Sequence, residues 1–300
     1  MVWAGQSVLD AARVAVPPRL AESLARAAER IGWDASVDGD WSPTVARVRH
    51  RLDIEPGFAV ISGLRIPDAD LVCRSRRQAW LFGCMVGETM PQDVHGTVIY
   101  DVIDKGGAIV NGARFSVTNQ ATGFHTDNSY EVDVPRYIAL YCVQRACAGG
   151  ASELVSGRMI VRRLEQSAPD LASRLHQPFP FHRRGGVVAG ELEFSTFPVI
   201  CEKRDGTLIR YLRYYIDCGY EKAGYVMDEL SRNALDAFDA VANEDGTRVA
   251  LTLSPGEMLL INNRSILHGR TEYVDSVQER RRLVRVWLTD ARSPVKLRMS

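Results

Sequence analysis

No stretch of this chain approaches 18 consecutive apolar residues, and its start, MVWAGQSVLDAARVAVPPRL, has no basic segment leading into a long apolar core. Neither a transmembrane helix nor a signal peptide is expected from such a pattern. Net charge is absent as well. The 37 basic residues balance 37 acidic ones, so no global field draws the chain toward nucleic acid or an anionic membrane. Basic tails are missing too, which argues against a nucleic acid or a histone as substrate. Cysteine is sparse and unpatterned: Cys73, Cys84, Cys142, Cys147, Cys201 and Cys218 include no C-x-x-C pair. Cys142 and Cys147 lack a second close pair of Cys or His, which argues against a zinc ribbon. The six read as reduced thiols, mostly small core residues, in a cytoplasmic protein.

What is present is enough apolar material for a sizeable core: 46% of 300 residues, a size that single barrel or sandwich domains reach. Helical spacing of Leu20, Leu24, Ala27, Ala28 and Ile31 predicts a helix over Pro18 to Ile31. A second is expected over Pro43 to Arg51 with Ser42 as N-cap, and a third over Pro67 to Met85. Short strands are expected at Gly57 to Leu64, Thr97 to Ile103, Arg136 to Gln144, Arg248 to Leu253, Gly256 to Asn262 and Arg282 to Thr289. TLIRYLRYYID, Thr207 to Asp217, also reads as a strand, while Ser156 to Leu175 and Glu229 to Val241 read as helical. Many strands with helices gathered outside imply a mainly β, α+β fold built on a double-stranded β-helix, or jelly roll. The expected organisation is one domain. It has a helical part over 1–95, a jelly-roll core over 96–290 and a lid insertion near 177–200.

The chemistry-bearing stretch is GFHTDNSY, Gly123 to Tyr130. In an extended strand residues i and i+2 point to one face, so His125 and Asp127 can close on one metal ion. The other reading of the pair is a hydrogen-bonded turn near a strand end, which would leave two later residues unexplained. One is His268 in INNRSILHGR, flanked by apolar residues. The other is Arg281, which lies 13 residues further on in ERRRLVRVWL. Two imidazoles and a carboxylate with open opposite positions suit non-haem Fe(II) that binds O2 and a co-substrate. Strand alternation puts Arg281, Leu283, Arg285 and Trp287 on one face, and Arg282, Val284, Val286 and Leu288 on the other. A buried arginine beside such a metal suits a dicarboxylate. His50, His95, His176 and His182 read as ordinary solvated or core-satisfied histidines.

HTD at His125 to Asp127, GGASELVSG at Gly149 to Gly157, NNRSILHGRTEY at Asn262 to Tyr273 and RRLVRVW at Arg281 to Trp287 occur in this order. With this series the chain resembles the Fe(II)- and 2-oxoglutarate-dependent dioxygenases of the taurine dioxygenase and clavaminate synthase-like superfamily, over somewhat more than half its length. The resemblance implies iron on His125, Asp127 and His268, with 2-oxoglutarate and O2 as co-substrates. It also implies that the far carboxylate of 2-oxoglutarate meets Arg281 and the hydroxyl of Ser152, a position that otherwise reads as a solvent-facing strand serine. Arg285 is placed for the near carboxylate of 2-oxoglutarate or for an anionic group of the substrate, with the former preferred. Halogenating relatives replace the metal carboxylate by a small residue. Asp127 is intact, so hydroxylation, desaturation or ring closure is expected instead.

Substrate contacts are less legible. Tyr130 corresponds to a pocket-lining position in similar enzymes, although an aromatic packing role fits equally, and Asn119 is a weaker candidate. Arg213, Arg183 and Arg184 can meet a carboxylate, phosphate or sulfonate, or simply be solvated. The glycine- and charge-rich segment His182 to Phe194 suggests a mobile lid. The expected partner is a small polar, amino-acid-like or otherwise acidic metabolite, with no nucleic acid and no membrane, and the sequence leaves the oligomeric state open. A metal-binding jelly roll without oxidative turnover, an isomerase or a sensor, is the alternative; it would give no role to Arg281.

Overall fold

The computed structural model describes residues 3, 5–30, 32, 36–67, 70–107, 109, 114–184, 187, 190–204 and 206–290. Alternation along the strands decides which layer each side chain enters. The larger sheet has the order Arg13–Ala15, Phe58–Ser62, Met258–Asn262, Tyr137–Gln144, Arg282–Thr289, Glu88–Met90, with Ile99–Val102 also paired to Arg282–Thr289. All its pairings are antiparallel except that of the first two strands. The smaller sheet, antiparallel throughout, runs Arg248–Leu251, Ser152–Ser156, Ile266–Arg270, Thr122–His125.

Leu259 and Ile261 pack into one buried cluster with Leu154, Val249, Leu251 and Ile266 of the smaller sheet, whereas Met258 and Leu260 join the opposite one. Arg282–Thr289 divides in the same way. Leu283 and Trp287 lie between the sheets, and Val284, Val286 and Leu288 face the helices Pro18–Glu29, Ser42–Asp53 and Leu71–Val86. On the far side, helices Gly157–Ser167, Pro169–Leu175, Arg213–Ala223 and Glu229–Asn243 cover Phe124, Val155 and Leu267. The result is the helix-decorated jelly roll expected from the pattern.

Several expectations require correction. The first long helix ends at Glu29, and Ile31 lies outside the described residues. Ser42 is the first helical residue rather than the cap, and its N–H donates to Asp40 Oδ1 (3.0 Å). The next helix starts at Leu71, after residues 68 and 69, which are outside the described set. TLIRYLRYYID splits. Gly206–Ile209 is a strand, but Arg213–Ala223 is a helix whose buried Tyr215, Ile216, Gly219 and Tyr220 recur at helical spacing. Its aromatic composition imitates a strand, and only the period separates the two. Gly219 is required there, because a Cβ would sit 2.3 Å from the carbonyl oxygen of Pro180. The segment expected as a lid is partly core. Pro178–His182 and Phe194–Pro198 form a hairpin with Phe179 and Phe181 fully buried. The loop between them includes residues 185, 186, 188 and 189, which lie outside the described set.

Candidate active site

His125 closes the strand Thr122–His125 and faces His268, its register partner in Ile266–Arg270. Their ring centres are 4.2 Å apart. Asp127 lies beyond the strand in a turn, so the two residues do not converge through strand alternation, as the sequence suggested. Asn263 makes the turn. Its Oδ1 accepts from the Asp127 N–H (2.8 Å), and its Nδ2 donates to the carbonyls of Asp127 (3.0 Å) and Pro135 (3.1 Å). The Tyr211 N–H donates to Thr126 Oγ1 (3.0 Å) on the other side. His268 lies at the centre of the fully buried strand Ile266–Arg270.

The three side chains offer ligand atoms that all lie within 4.8 Å of one another. Asp127 Oδ1 is 3.5 Å from His125 Nε2 and 3.8 Å from His268 Nε2. The other oxygen, Oδ2, accepts from Arg285 Nη1 (2.9 Å) and Trp287 Nε1 (2.8 Å). Burial opposes ionisation of Asp127, but Arg285 and the two histidines outweigh it and hold the carboxyl well below its usual range. Burial and then the neighbouring His125 push His268 down to about 3. His125 Nδ1 lies 2.9 Å from the Gly123 carbonyl, which orients Nε2 inward. Two imidazoles and one ionised carboxylate with a free oxygen fit a divalent first-row metal such as Fe(II).

A cavity of about 120 Å3 opens beside this cluster, walled by Leu140, Leu259, Ile261 and Leu283. At one end lie Ser152, Arg270 and Arg281, all buried. Burial lowers the pKa of Arg281, and burial with the charge of Arg281 brings Arg270 down to about 10. Arg270 Nη2 donates to the Thr118 carbonyl (3.0 Å) and to that of Gln120. Arg281 Nη1 has no hydrogen-bond partner among the described residues. Both guanidinium groups lie within 5.0 Å of the Tyr273 ring centre. Gly150, at φ +73°, lets the chain pass where a Cβ would be 3.0 Å from Arg281 Nε. Two crowded buried cations with an unused donor fit an anionic carboxylate of a ligand.

The remaining sequence-predicted residues divide. Tyr130 lines the cavity beside Tyr215, their rings 5.8 Å apart. Arg285 lines it too, but its donors meet Asp127 Oδ2 and Gln92 Oε1 (2.7 Å), so its partners here are the protein's own groups. Asn119 does not line it and instead donates to the Tyr273 carbonyl (3.2 Å). Arg213 is elsewhere, bound to Asp217 (3.1 Å), Asp236 (2.7 Å) and Asp239 (3.1 Å). Sequence reasoning missed Asn263, Trp287, Gln92 and Arg270 as polar supports. Arg270 stands two residues after His268 in a β-strand and was open to the same alternation argument as Asp127. Gln92 carried no local signal.

Residues 21–287 match the model of the family described as taurine catabolism dioxygenase TauD, TfdA family. The chain is 28% identical to FR-33289 synthase of Streptomyces rubellomurinus over 96% of its length and 88% of that protein's. It is 30% identical to a uridine-5'-phosphate dioxygenase of a Streptomyces species over 58% of this chain and 64% of the relative. Among solved structures it resembles an asparagine oxygenase in complex with Fe(II), 2S,3S-3-hydroxyasparagine and succinate. That likeness has a TM-score of 0.70 at 20% identity and covers 93% of this chain and 94% of the other.

Proposed function

The chain belongs to the taurine catabolism dioxygenase TauD, TfdA family and is an Fe(II)- and 2-oxoglutarate-dependent oxygenase, and we propose that it hydroxylates an unactivated C–H of a small, polar, acidic or amino-acid-like metabolite. Membership of this family sets aside the non-oxidative isomerase or sensor. The chemistry supplied at the site is a coupled oxidation in which 2-oxoglutarate, O2 and a substrate C–H give succinate, CO2 and a C–OH. Everything else is positioning by side chains.

In this reading His125, Asp127 and His268 hold the iron. Arg285 and Trp287 take the second oxygen of Asp127, which keeps the carboxylate ionised and leaves Oδ1 for the metal. Arg281 clamps the far carboxylate of 2-oxoglutarate, with Arg270 adding positive potential and Ser152 a hydroxyl. The apolar walls exclude water, so these charge-assisted contacts act at low dielectric. The observation that carries the reading is the pairing of a tight His-Asp-His cluster with a buried guanidinium, that of Arg281, whose Nη1 has no partner among the described residues, in one cavity. The intact Asp127 favours hydroxylation over halogenation. Small polar substrates are supported by relatives whose names include uridine-5'-phosphate dioxygenase and asparagine oxygenase. Among the described residues no helix is long and apolar enough to cross a membrane.

The test is a screen of acidic and amino-acid-like compounds for stimulated succinate release, run beside His125→Ala, Asp127→Ala and His268→Ala. Each variant is expected to fold but to lose Fe(II) binding and turnover. A variant with near-normal Fe(II)-dependent activity would remove that residue from the ligand set.

A further inference from the structure

The cavity carries more positive charge than iron and 2-oxoglutarate require. Among the described residues its lining includes four guanidinium groups, Arg114, Arg270, Arg281 and Arg285, against a single carboxylate, Asp127. Divalent iron and dianionic 2-oxoglutarate cancel each other, so four less one leaves three positive charges unmatched. Arg285 faces Asp127, and Arg270 and Arg281 gather around Tyr273. Arg114 also lines the cavity, and its charge is felt by the phenols of Tyr130 and Tyr215.

Arg114 has no carboxylate partner among the described residues; its Nη2 donates to the carbonyl of Arg184 (3.2 Å). The Arg184 guanidinium lies 4.7 Å from the Tyr214 ring centre and 5.4 Å from that of Tyr215. Its Nε is buried without a hydrogen-bond partner among the described residues. The Arg184 backbone is in the left-handed region, φ 35°, a conformation a non-glycine residue rarely keeps without a reason in its surroundings. Burial raises the pKa of both the Tyr130 and Tyr215 phenols, so both remain protonated donors at neutral pH. An arginine with no carboxylate partner among the described residues, a second arginine beside it and two phenols make a donor-rich corner.

We propose that Arg114, supported by Arg184 and the hydroxyls of Tyr130 and Tyr215, is the anchoring site for an oxyanionic group on the substrate, and that the excess charge selects a phosphate or phosphonate dianion over a carboxylate. The inference rests on the oxygenase reading of the same cavity and narrows its substrate class. Guanidinium groups pair with such oxyanions through parallel N–H donors. Fixing one end of the substrate holds its C–H at a constant distance from the metal cluster.

The experiment uses the full chain loaded with redox-silent Mn(II) and 2-oxoglutarate, in an anion-poor buffer. Inorganic phosphate, methylphosphonate and acetate are titrated by calorimetry and by tryptophan fluorescence, for which Trp287 in the cavity wall is the reporter. Phosphate and methylphosphonate are expected to bind, and acetate several-fold more weakly. Arg114→Gln should weaken both phosphorus oxyanions by at least about tenfold while leaving 2-oxoglutarate affinity unchanged, and Arg114→Lys should recover part of the loss. Should Arg114→Gln misfold, Arg184→Gln is the second probe, with a smaller loss expected. Wild-type phosphate binding in folded Arg114→Gln overturns the anchoring role, and acetate binding as tight as phosphate overturns the selection for a dianion. Failure of 2-oxoglutarate itself to bind with Mn(II) is a different outcome, and it overturns the oxygenase reading of the cavity.

Discussion

Replacing Arg281 by alanine separates a ligand-binding arginine from a structural one. The side chain is 5% exposed, its Nη1 is unpartnered among the described residues, and it shares the inner end of the cavity with Ser152 and Arg270. Leaving a carboxylate unpaired in a shielded pocket costs about 2–5 kcal/mol. At about 1.4 kcal/mol per tenfold, that raises the 2-oxoglutarate requirement from about 30-fold to a few thousandfold. The lower part of this range is expected, because Arg270 retains positive potential at the same end. Stability should respond in the opposite sense. Burial and the charge of Arg281 already depress Arg270 to about 10, so removing one of two crowded cations relieves repulsion in the unliganded protein. The assays are succinate release against 2-oxoglutarate concentration and thermal melting with and without 2-oxoglutarate and Mn(II). The variant should melt at or above the wild-type temperature without ligand and lose most of the ligand-induced rise. A normal 2-oxoglutarate requirement would refute the assignment and move it to Arg270.

Asn263→Ala removes three hydrogen bonds made by a fully buried side chain, so it should cost about 3 kcal/mol at about 1 kcal/mol each. It should also weaken Fe(II) binding, read by chemical denaturation and metal titration. Gly150→Ala places a side chain at φ +73° and 3.0 Å from Arg281 Nε. It should cost about 1–2 kcal/mol of stability and raise the 2-oxoglutarate KM, whereas an unchanged KM would show that Arg281 yields without consequence. Trp287→Phe removes one donor from Asp127 Oδ2 and should weaken Fe(II) binding several-fold, by about 1 kcal/mol, with little change in the 2-oxoglutarate KM. Tyr130→Ala should uncouple the reaction, so that 2-oxoglutarate is consumed while product per succinate falls several-fold. An unchanged ratio would make Tyr130 a packing residue.

The sequence by itself determined the layer structure, because period-2 alternation in Arg282–Thr289 is a local property of an extended chain. Arg281, Leu283, Arg285 and Trp287 line the cavity, and Val284, Val286 and Leu288 enter the helix-covered core, as that alternation required. The residues of the HTD cluster and His268 were equally legible, since each sits in a motif with recognisable neighbours. What the local pattern could not carry was pairing across large sequence separations. The Asp127 turn is made by Asn263, 136 residues away. Besides Asp127, Arg285 donates to Gln92, 193 residues away. Arg213 looked available in a line of text, yet it is occupied by Asp236 and Asp239 of a neighbouring helix. The Thr207 to Asp217 segment failed for a related reason, because its aromatic residues suit a strand by composition and a helix by spacing. Packing against Pro178–His182, with Gly219 at the contact, accompanies the helical choice. Hydrogen-bond partners and free charges are properties of folded space, so only the tertiary structure decided which arginines remained available for a ligand.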